Sequence, residues 1–196
     1  MRYPTLKRLL DLFAIAATCW FTVPALAILA VLVRLDSPGP VFFRQKRVGK
    51  KCKLFDILKF RTMRTDTPRD IATHLLQNPE RYITRMGNFL RKTSLDELPQ
   101  LINILTGDMT LVGPRPALWN QYDLVAEREK YGVNDITPGL TGLAQINGRD
   151  ELPIQVKAKY DGEYRKNMSL KLDLTILFGT LPKVLFGSNI VEGDKR

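Results

Sequence analysis

Two adjacent carboxylates, Asp96 and Glu97, are the side chains of this sequence whose type and setting best suit chemistry. They stand among many positive charges. Neighbouring side chains of an α-helix point about 100° apart, whereas residues three or four apart share a face. Asp96 and Glu97 therefore cannot form a stacked acid and base pair, and we expect them to have different roles.

The local sequence predicts that the two carboxylates lie at the N-terminus of a helix. Ser94 and Glu97 have the spacing of a capping box, and Pro99 is tolerated only in the first turn of a helix. Unpaired N–H groups and the helix dipole favour negative charge there, so Asp96 should stay ionised and phosphate oxygens can bind nearby. The alternative is that Glu97 only caps the helix, Asp96 only complements its dipole, and neither is catalytic.

Positive charge is concentrated in one part of the chain. The 196 residues carry a net charge of +10, and residues 34–64 hold ten basic side chains against two aspartates, a local charge of +8. Such a block suits anionic lipid, nucleic acid or a phosphorylated substrate, and composition does not choose between them. The two cysteines form no C-x-x-C motif, and the single histidine, His74, lacks the partners of a metal site.

An apolar run near the N-terminus predicts a membrane helix. Residues 12–33 contain no charged side chain, and these 22 positions are enough to cross a bilayer. Pro24 lies near the middle, where it removes a backbone hydrogen bond and tends to kink a helix. Basic residues flank both ends, so the positive-inside tendency keeps both ends cytoplasmic. A helix that enters one leaflet, breaks at Pro24 and returns satisfies both observations; the alternative is a tilted span that tolerates the proline.

The segment after the apolar run predicts a β-hairpin that carries two cations of interest. Strand-like sequence at 41–43 and 53–60 surrounds a polar turn, and Asp36 to Pro40 marks the start of a soluble part. A period of two places Lys59 and Arg61 on one face of the second strand. We expect both to contact phosphate, whereas the other lysines of the hairpin suit a basic surface facing solvent or lipid.

Two later loops are suited to contact a ligand, and the first of them has an arginine that suits a phosphate. Arg115 stands between prolines in Gly113-Pro114-Arg115-Pro116, which gives its guanidinium a rigid setting, although a structural corner explains the same motif. Residues 137–149 form a glycine-punctuated loop whose backbone can approach a ligand closely, but they match neither common nucleotide-binding glycine pattern. Helices are predicted at 68–78, 82–92, 120–131, from Pro153 onward, and 170–186. The helix that begins at the two carboxylates is predicted to continue through an apolar stripe to Leu105, and residues 109–112 are predicted to form a strand.

These motifs resemble the small monotopic phosphoglycosyl transferases, also called the bacterial sugar transferase family. The resemblance covers almost the whole chain. It rests on Lys7-Arg8 with Asp11 before a proline-broken membrane segment, Lys59 to Met63, Ser94 to Gln100, Gly107-Asp108-Met109, Gly113 to Pro116, and Pro138 to Arg149. Many relatives have Ser-Pro at the membrane break, where this chain has Val23-Pro24 after Thr22.

The resemblance implies a fold and a location. The expected class is α+β, mostly helical with a small β-hairpin and amphipathic interface helices. Residues 1–35 would form a re-entrant membrane helix broken at Pro24, and residues 36–196 a cytoplasmic catalytic domain ending in an interfacial helix. The protein would then lie on the cytoplasmic face of the bacterial inner membrane, in contact with its lipid.

The resemblance also implies a reaction. Such enzymes transfer a phosphosugar from a UDP-sugar to undecaprenyl phosphate and release UMP. By this resemblance Asp96 is the nucleophile that forms an aspartyl phosphosugar, and Glu97 binds Mg²⁺, which prefers oxygen ligands. The substrate-binding residues would be Lys59, Arg61, Arg91, Arg115, Arg149 and Asp161.

Two other interpretations stay open at this point. A membrane-tethered module that binds anionic lipid or nucleic acid would explain the basic block without chemistry. The aromatic residues near that block fit a strand core better than base stacking, so we expect no nucleic-acid partner. An enzyme with a one-step mechanism would instead use Asp96 as a general base. The sequence does not identify the sugar.

Overall fold

The computed structural model describes residues 3–67, 79–148 and 152–185. The helices are α1 Tyr3–Asp36, α2 Arg85–Lys92, α3 Gln100–Thr106, α4 Tyr122–Glu129, α5 Leu143–Asn147, α6 Ile154–Asn167 and α7 Leu170–Leu185. The strands are β1 Phe42–Val48, β2 Leu54–Phe60, β3 Thr110–Val112 and β4 Gly139–Thr141. The mostly helical α+β class with a small hairpin is therefore confirmed. The helix predicted at 68–78, which includes His74, lies outside the described residues.

Strands β1 and β2 form the expected antiparallel hairpin. Their register runs from Phe42 opposite Phe60 to Val48 opposite Leu54. The Phe42 and Phe60 rings stack with centroids 5.5 Å apart. The tight turn at Lys50–Cys52 brings the chain back. The hairpin holds Lys59 near the end of β2, one residue before Phe60.

A second, two-stranded parallel sheet joins β3 to β4, and the sequence did not predict it. Thr110 pairs with Gly139, and Val112 pairs with Thr141. A Cβ atom added to Gly139 would lie 2.0 Å from the backbone nitrogen of Gly113, so the two chains approach too closely for any side chain there. The glycines of residues 137–149 were expected to admit a ligand. At Gly139 the structure uses the glycine for contact between two backbones instead.

Helix α1 is the helix of the described residues that is long and apolar enough to cross a membrane, and 11% of its most apolar window is buried. It continues without interruption across Pro24. A proline removes one backbone donor, so a long helix can include one and continue. The predicted break at Pro24 is not shown, and the re-entrant geometry stays a prediction.

Both ends of α1 pack on the rest of the protein, whereas most of its middle is exposed. The buried residues of α1 are Lys7, Asp11, Ile15, Leu29 and Val33. None of residues 16–28 is buried, and Trp20 and Phe21 are about 80% exposed, at 80% and 81%. The two ends of the helix therefore meet the same body, and the apolar middle around Trp20 and Phe21 is largely exposed, with Leu26 packing partly on the apolar cluster around Phe60.

Three clusters of buried apolar side chains hold the described residues together. The first contains Ile15, Ile57, Ile104 and Met109, the second Leu29, Val33, Phe60 and Leu90, and the third Val112, Tyr164 and Ile176. Helix α1 contributes to the first two. Each fully buried apolar side chain stabilises a fold by about 1.5–3 kcal/mol. Ile15, Leu29 and Val33 of α1 therefore contribute to the stability of the core, in addition to the apolar surface that the helix exposes.

Candidate active site

Asp96 and Glu97 lie in a single 3-10 turn, Leu95–Glu97, just before α3. Ser94 precedes the turn with φ 55, in the left-handed region, and its side chain makes no capping hydrogen bond. An N-cap residue needs extended backbone to reach the N–H groups ahead of it, so the predicted capping box is wrong. Pro99 follows the turn, and α3 begins at Gln100. The two carboxylates therefore stand before a helix, in a turn of their own.

Two cations predicted from separate parts of the sequence meet at Glu97. Lys59 Nζ lies 2.7 Å from Glu97 Oε1, and Arg115 Nη2 lies 3.1 Å from the same oxygen. Lys59 Nζ is 3.9 Å from Asp96 Oδ2, beyond hydrogen-bonding distance. The side chains of Asp96 and Glu97 are 14% and 20% exposed, so both are mostly buried but still reach the surface. The structure thus brings together Lys59, Arg115 and both carboxylates.

The two carboxylates have opposite pKa shifts. Burial raises the pKa of Asp96 and the charge of Glu97 raises it further, although Lys59, Arg91 and Arg115 oppose this. Burial also acts to raise the pKa of Glu97, but the charges and hydrogen bonds of Lys59 and Arg115 outweigh it and hold that pKa well below its usual range. Glu97 is therefore a fixed anion, whereas Asp96 is the less stabilised carboxylate and the more basic of the two.

The amide side chain of Asn103 in helix α3 binds the backbone of strand β2. These hydrogen bonds help to position Lys59 of β2 beside the carboxylates that precede α3. Asn103 Oδ1 accepts a hydrogen bond of 2.9 Å from the Leu58 backbone nitrogen, and Asn103 Nδ2 donates one of 2.9 Å to the Asp56 carbonyl. Sequence reasoning missed Asn103. The available signal was an amide side chain within a helix whose other positions form an apolar stripe, which indicates a buried hydrogen-bonding role.

Arg115 is positioned by the segment that follows β3. The Arg47 guanidinium donates to the Pro116 carbonyl at 3.1 Å, and the Val48 backbone nitrogen donates to the Ala117 carbonyl at 2.9 Å. These bonds attach the segment to the edge of β1. Since Pro114 and Pro116 also restrict the backbone on each side, the guanidinium is presented to Glu97 from a rigid support.

The other predicted site residues have different surroundings. Arg91 lies in the last turn of α2, and its charge lowers the pKa of Asp96. Arg61 is 5% exposed and donates to the Ser37 and Pro38 carbonyls at 2.6 and 2.8 Å, so it caps the C-terminal end of α1 rather than the carboxylates. Arg149 lies outside the described residues.

Asp161 has a structural partner rather than an open position. It is 1% exposed, and its Oδ2 accepts hydrogen bonds of 2.9 and 2.6 Å from the Arg128 guanidinium. Burial raises the pKa of Asp161, and Arg128 opposes this. The ion pair joins α6 to α4. The expectation that Asp161 binds substrate is not what this geometry supports, because the carboxylate is enclosed by its partner.

The donor set suits a magnesium ion only when substrate shares the ion. Among residues 3–67, 79–148 and 152–185, no group of three or more metal-ligating side chains is present. Magnesium is usually held by one or two carboxylates together with water and substrate phosphates. Glu97, with Asp96 beside it, can supply that share, and Lys59 and Arg115 already take one Glu97 oxygen.

Comparison of the whole sequence with known protein families identifies the family of this chain. A family model described as bacterial sugar transferase matches residues 2–187. The chain belongs to the bacterial sugar transferase family. This confirms the family and the transferase class that the sequence predicted.

Three relatives show how far the likeness to other bacterial sugar transferases extends. The chain is 46% identical over 188 residues to the sugar transferase EpsL of Bacillus subtilis (strain 168), covering 95% of this chain and 91% of that protein. It is 40% identical over 191 residues to the UDP-glucose:undecaprenyl-phosphate glucose-1-phosphate transferase of Escherichia coli (strain K12), covering 91% of this chain and 40% of that protein. It is 38% identical over 191 residues to the UDP-N-acetylgalactosamine-undecaprenyl-phosphate N-acetylgalactosaminephosphotransferase of Aeromonas hydrophila, covering 94% and 45%.

Proposed function

We propose that this protein transfers a phosphosugar from a UDP-sugar to undecaprenyl phosphate, releases UMP and forms undecaprenyl diphosphosugar, as a first step of surface glycan assembly. The observation that carries the proposal is the adjacent pair of carboxylates, Asp96 and Glu97, of which Glu97 is bound by both Lys59 and Arg115. The relatives from Escherichia coli and Aeromonas hydrophila are named for this type of transfer, with two different sugars.

The unequal surroundings of the two carboxylates support separate roles. Glu97 is fixed by two cations, which suits a metal ligand and a holder of charge. Lys59 Nζ lies 3.9 Å from Asp96 Oδ2, beyond hydrogen-bonding distance, and the pKa of Asp96 is raised whereas that of Glu97 is lowered. These surroundings suit Asp96 as the nucleophile. Bound magnesium would neutralise phosphate charge next to Glu97.

In the covalent route that we propose, Asp96 is the only nucleophile that the protein supplies, and two displacements occur at the same phosphorus. A carboxylate oxygen of Asp96 forms a bond to the β-phosphorus of the donor, and the bond from that phosphorus to the oxygen bridging to UMP breaks. UMP leaves. An oxygen of the lipid phosphate then attacks the same phosphorus, and the bond to Asp96 breaks, which restores the carboxylate. The positive charges of Lys59 and Arg115 stabilise the negative charge on the reacting phosphate in both steps.

The membrane arrangement that we propose is monotopic and re-entrant, with the catalytic part on the cytoplasmic face of the inner membrane. Both ends of α1 pack on the same body, and its middle is exposed and apolar, which supports an arrangement with both ends on one side. Ile102 and Leu105 of α3 and Phe178 of α7 are also exposed apolar side chains, consistent with a surface that rests on lipid.

The activity is tested with purified protein in detergent, Mg²⁺, undecaprenyl phosphate and a panel of UDP-sugars that includes UDP-glucose and UDP-N-acetylgalactosamine. We expect UMP release with at least one donor, and a loss of about 10³-fold or more in Asp96→Asn. Well-folded protein that releases no UMP with any donor would instead favour a membrane-tethered binding module.

The covalent step is tested by supplying the donor without the lipid. We expect the mass of the protein to rise by one phosphosugar, located on Asp96. Protein that turns over normally but never shows this adduct would use the one-step mechanism, with Asp96 as general base.

The topology is tested with single cysteines in a Cys19→Ser, Cys52→Ser background. Thr5→Cys and Leu35→Cys place an exposed thiol at either end of α1. We expect an impermeant thiol reagent to label neither in intact cells and both after permeabilisation. Labelling of either one from outside contradicts the re-entrant arrangement.

A further inference from the structure

Strand β3 carries the chain toward Arg115, but β3 is too short to hold its own position. It has three residues, and among the described residues it pairs only with β4, which also has three, in a two-stranded sheet. Even a two-stranded hairpin is marginal in water, and parallel pairs are weaker still. Other contacts must therefore fix β3.

A carboxylate of α1 supplies one set of these contacts. Asp11 is 4% exposed. Its Oδ2 accepts a hydrogen bond from the Thr110 hydroxyl, and its Oδ1 accepts one of 3.3 Å from the Leu111 backbone nitrogen. Both oxygens of one buried carboxylate are thus used on consecutive residues of β3.

The third residue of β3 is held through the same end of α1. The Tyr164 hydroxyl lies 3.0 Å from the Val112 carbonyl and 2.7 Å from Asp173 Oδ1. Asp173 Oδ2 in turn binds Lys7 and, at 2.6 Å, the Tyr3 hydroxyl. Every residue of β3 is therefore connected to the first turns of α1 by buried polar groups.

The backbone between β3 and Arg115 has little freedom to absorb a shift of β3. The Gly113 nitrogen donates to the Thr141 carbonyl at 2.7 Å, and the Pro114 carbonyl accepts from the Gly139 nitrogen at 2.8 Å. The ring of Pro114 fixes φ directly before Arg115. A displacement of β3 is therefore passed on to the guanidinium that contacts Glu97.

We propose that Asp11 is a positioning residue for the transfer reaction, which holds β3 so that Arg115 reaches Glu97. Asp11 does not touch substrate and acts through Arg115. The inference rests on the proposed function, because it takes Glu97 and Arg115 to be part of the reacting site.

A simpler role for Asp11 is to dock the end of α1, and Arg8 provides the matched control for that role. The Arg8 guanidinium donates to the Ile104 and Leu105 carbonyls of α3. Arg8 therefore secures the same end of the same helix, but its hydrogen bonds go to α3 rather than to β3.

The test is a pair of double-mutant cycles on UMP release, using the full chain in detergent. The variants are Asp11→Asn, Arg8→Gln, Arg115→Gln and the two doubles with Arg115→Gln. We expect Asp11→Asn to lower kcat about 10-fold in the wild-type background and less than about 2-fold in the Arg115→Gln background, since coupled residues are not additive. Arg8→Gln should lower kcat by the same factor in the wild-type and Arg115→Gln backgrounds.

An equal cost of Asp11→Asn in both backgrounds, or full activity of Asp11→Asn, overturns the inference. Should Asp11→Asn fail to fold, Thr110→Val removes the same hydrogen bond from the β3 side and enters the same cycle.

A second readout needs no substrate and so separates this inference from the proposed function. Amide hydrogen exchange of residues 113–118 should be about 10-fold faster in Asp11→Asn than in the wild type and unchanged in Arg8→Gln. Equal exchange in all three proteins contradicts the inference even if UMP release is normal. Absence of UMP release from the wild type contradicts the proposed function alone.

Discussion

Two amide side chains on the buried face of α3 have opposite hydrogen-bonding states. Asn103 is bonded at both ends to β2. Gln100 is 1% exposed, and its amide nitrogen has no hydrogen-bond partner within the described residues. Burial of an unpaired polar group costs about 1–3 kcal/mol, so the two amides should contribute to stability with opposite sign.

We therefore expect Gln100→Met to raise the free energy of unfolding by about 1 kcal/mol, because it removes an unpaired buried amide while keeping similar volume. Asn103→Leu should lower it by about 2 kcal/mol, because it leaves the Leu58 nitrogen and the Asp56 carbonyl without their partner. Urea unfolding in mild detergent measures both. A loss of stability in Gln100→Met as large as in Asn103→Leu contradicts this account.

At the scale of elements, the β3 and β4 contact depends on glycine. A Cβ at Gly139 would lie 2.0 Å from the Gly113 nitrogen, whereas a Cβ at Gly179 in α7 would lie 3.5 Å from its nearest neighbour, Ile146 Cδ1. Only the first requires the two backbones to separate.

Gly139→Ala should therefore lower the free energy of unfolding by about 3 kcal/mol and reduce UMP release. Gly179→Ala should raise stability by about 0.5–1 kcal/mol, because alanine favours a helix interior more than glycine does. Thermal unfolding and activity of the two variants, measured side by side, check this. Equal stability of the two variants is the contradictory outcome.

The α4 and α6 helices are joined by the buried pair of Arg128 and Asp161. Arg128→Met leaves the carboxylate enclosed and unpaired, and we expect a loss of about 3–5 kcal/mol near neutral pH. The pKa of Asp161 is raised in the fold, so its protonated form is favoured there and stability falls as pH rises above the ordinary range near 4.

The deficit of Arg128→Met should accordingly shrink as the pH is lowered from about 7 toward about 5, and urea unfolding at several pH values measures it. The double variant Arg128→Met, Asp161→Leu removes both charges and should recover most of the loss at neutral pH. A deficit that is independent of pH would show that packing, not the carboxylate charge, is responsible.

The particular residues show where sequence reasoning succeeded and where it failed. Helix and hairpin positions followed from periodicity and from glycine and proline signals. Ser94 was misassigned because capping spacing does not reveal a left-handed φ. The strand-like residues 109–112 contain β3, so that prediction is confirmed, whereas the three residues of β4 are too short to show a period and were assigned to a loop.

For the site, residue type predicted charge but not partners. Lys59 and Arg61 share a face in the strand pattern, yet Lys59 reaches Glu97 whereas Arg61 binds carbonyls at the end of α1. The apolar stripe of α3 was visible, but periodicity cannot tell a protein core from a lipid surface. Ile102 and Leu105 of that stripe are exposed.

At the scale of the whole molecule, the exposed middle of α1 should govern retention in the membrane. We expect the double variant Trp20→Asp, Phe21→Asp to be extracted from membranes by salt or carbonate, because each charge near the bilayer centre costs about 2.5–3.5 kcal/mol. The wild type should resist extraction. Tyr122→Asp is the control, since Tyr122 is 70% exposed on α4 and outside the apolar helix. Equal extraction of the control and the double variant contradicts the assignment of this surface to lipid.

The contacts of α1 also determine when the protein can finish folding. Lys7 binds a residue 166 positions later in the chain, and Asp11 binds one 99 positions later. At about 5–20 residues per second, synthesis of the intervening chain takes on the order of 5–30 s. During that interval the protein partners of Lys7 and Asp11 do not yet exist, so α1 is made well before the surface on which its N-terminal end packs. The contact of Lys7 with Asp173 can form only after α7 has been synthesised, so α7 sets the earliest time at which that end of α1 can be held by its buried polar partners.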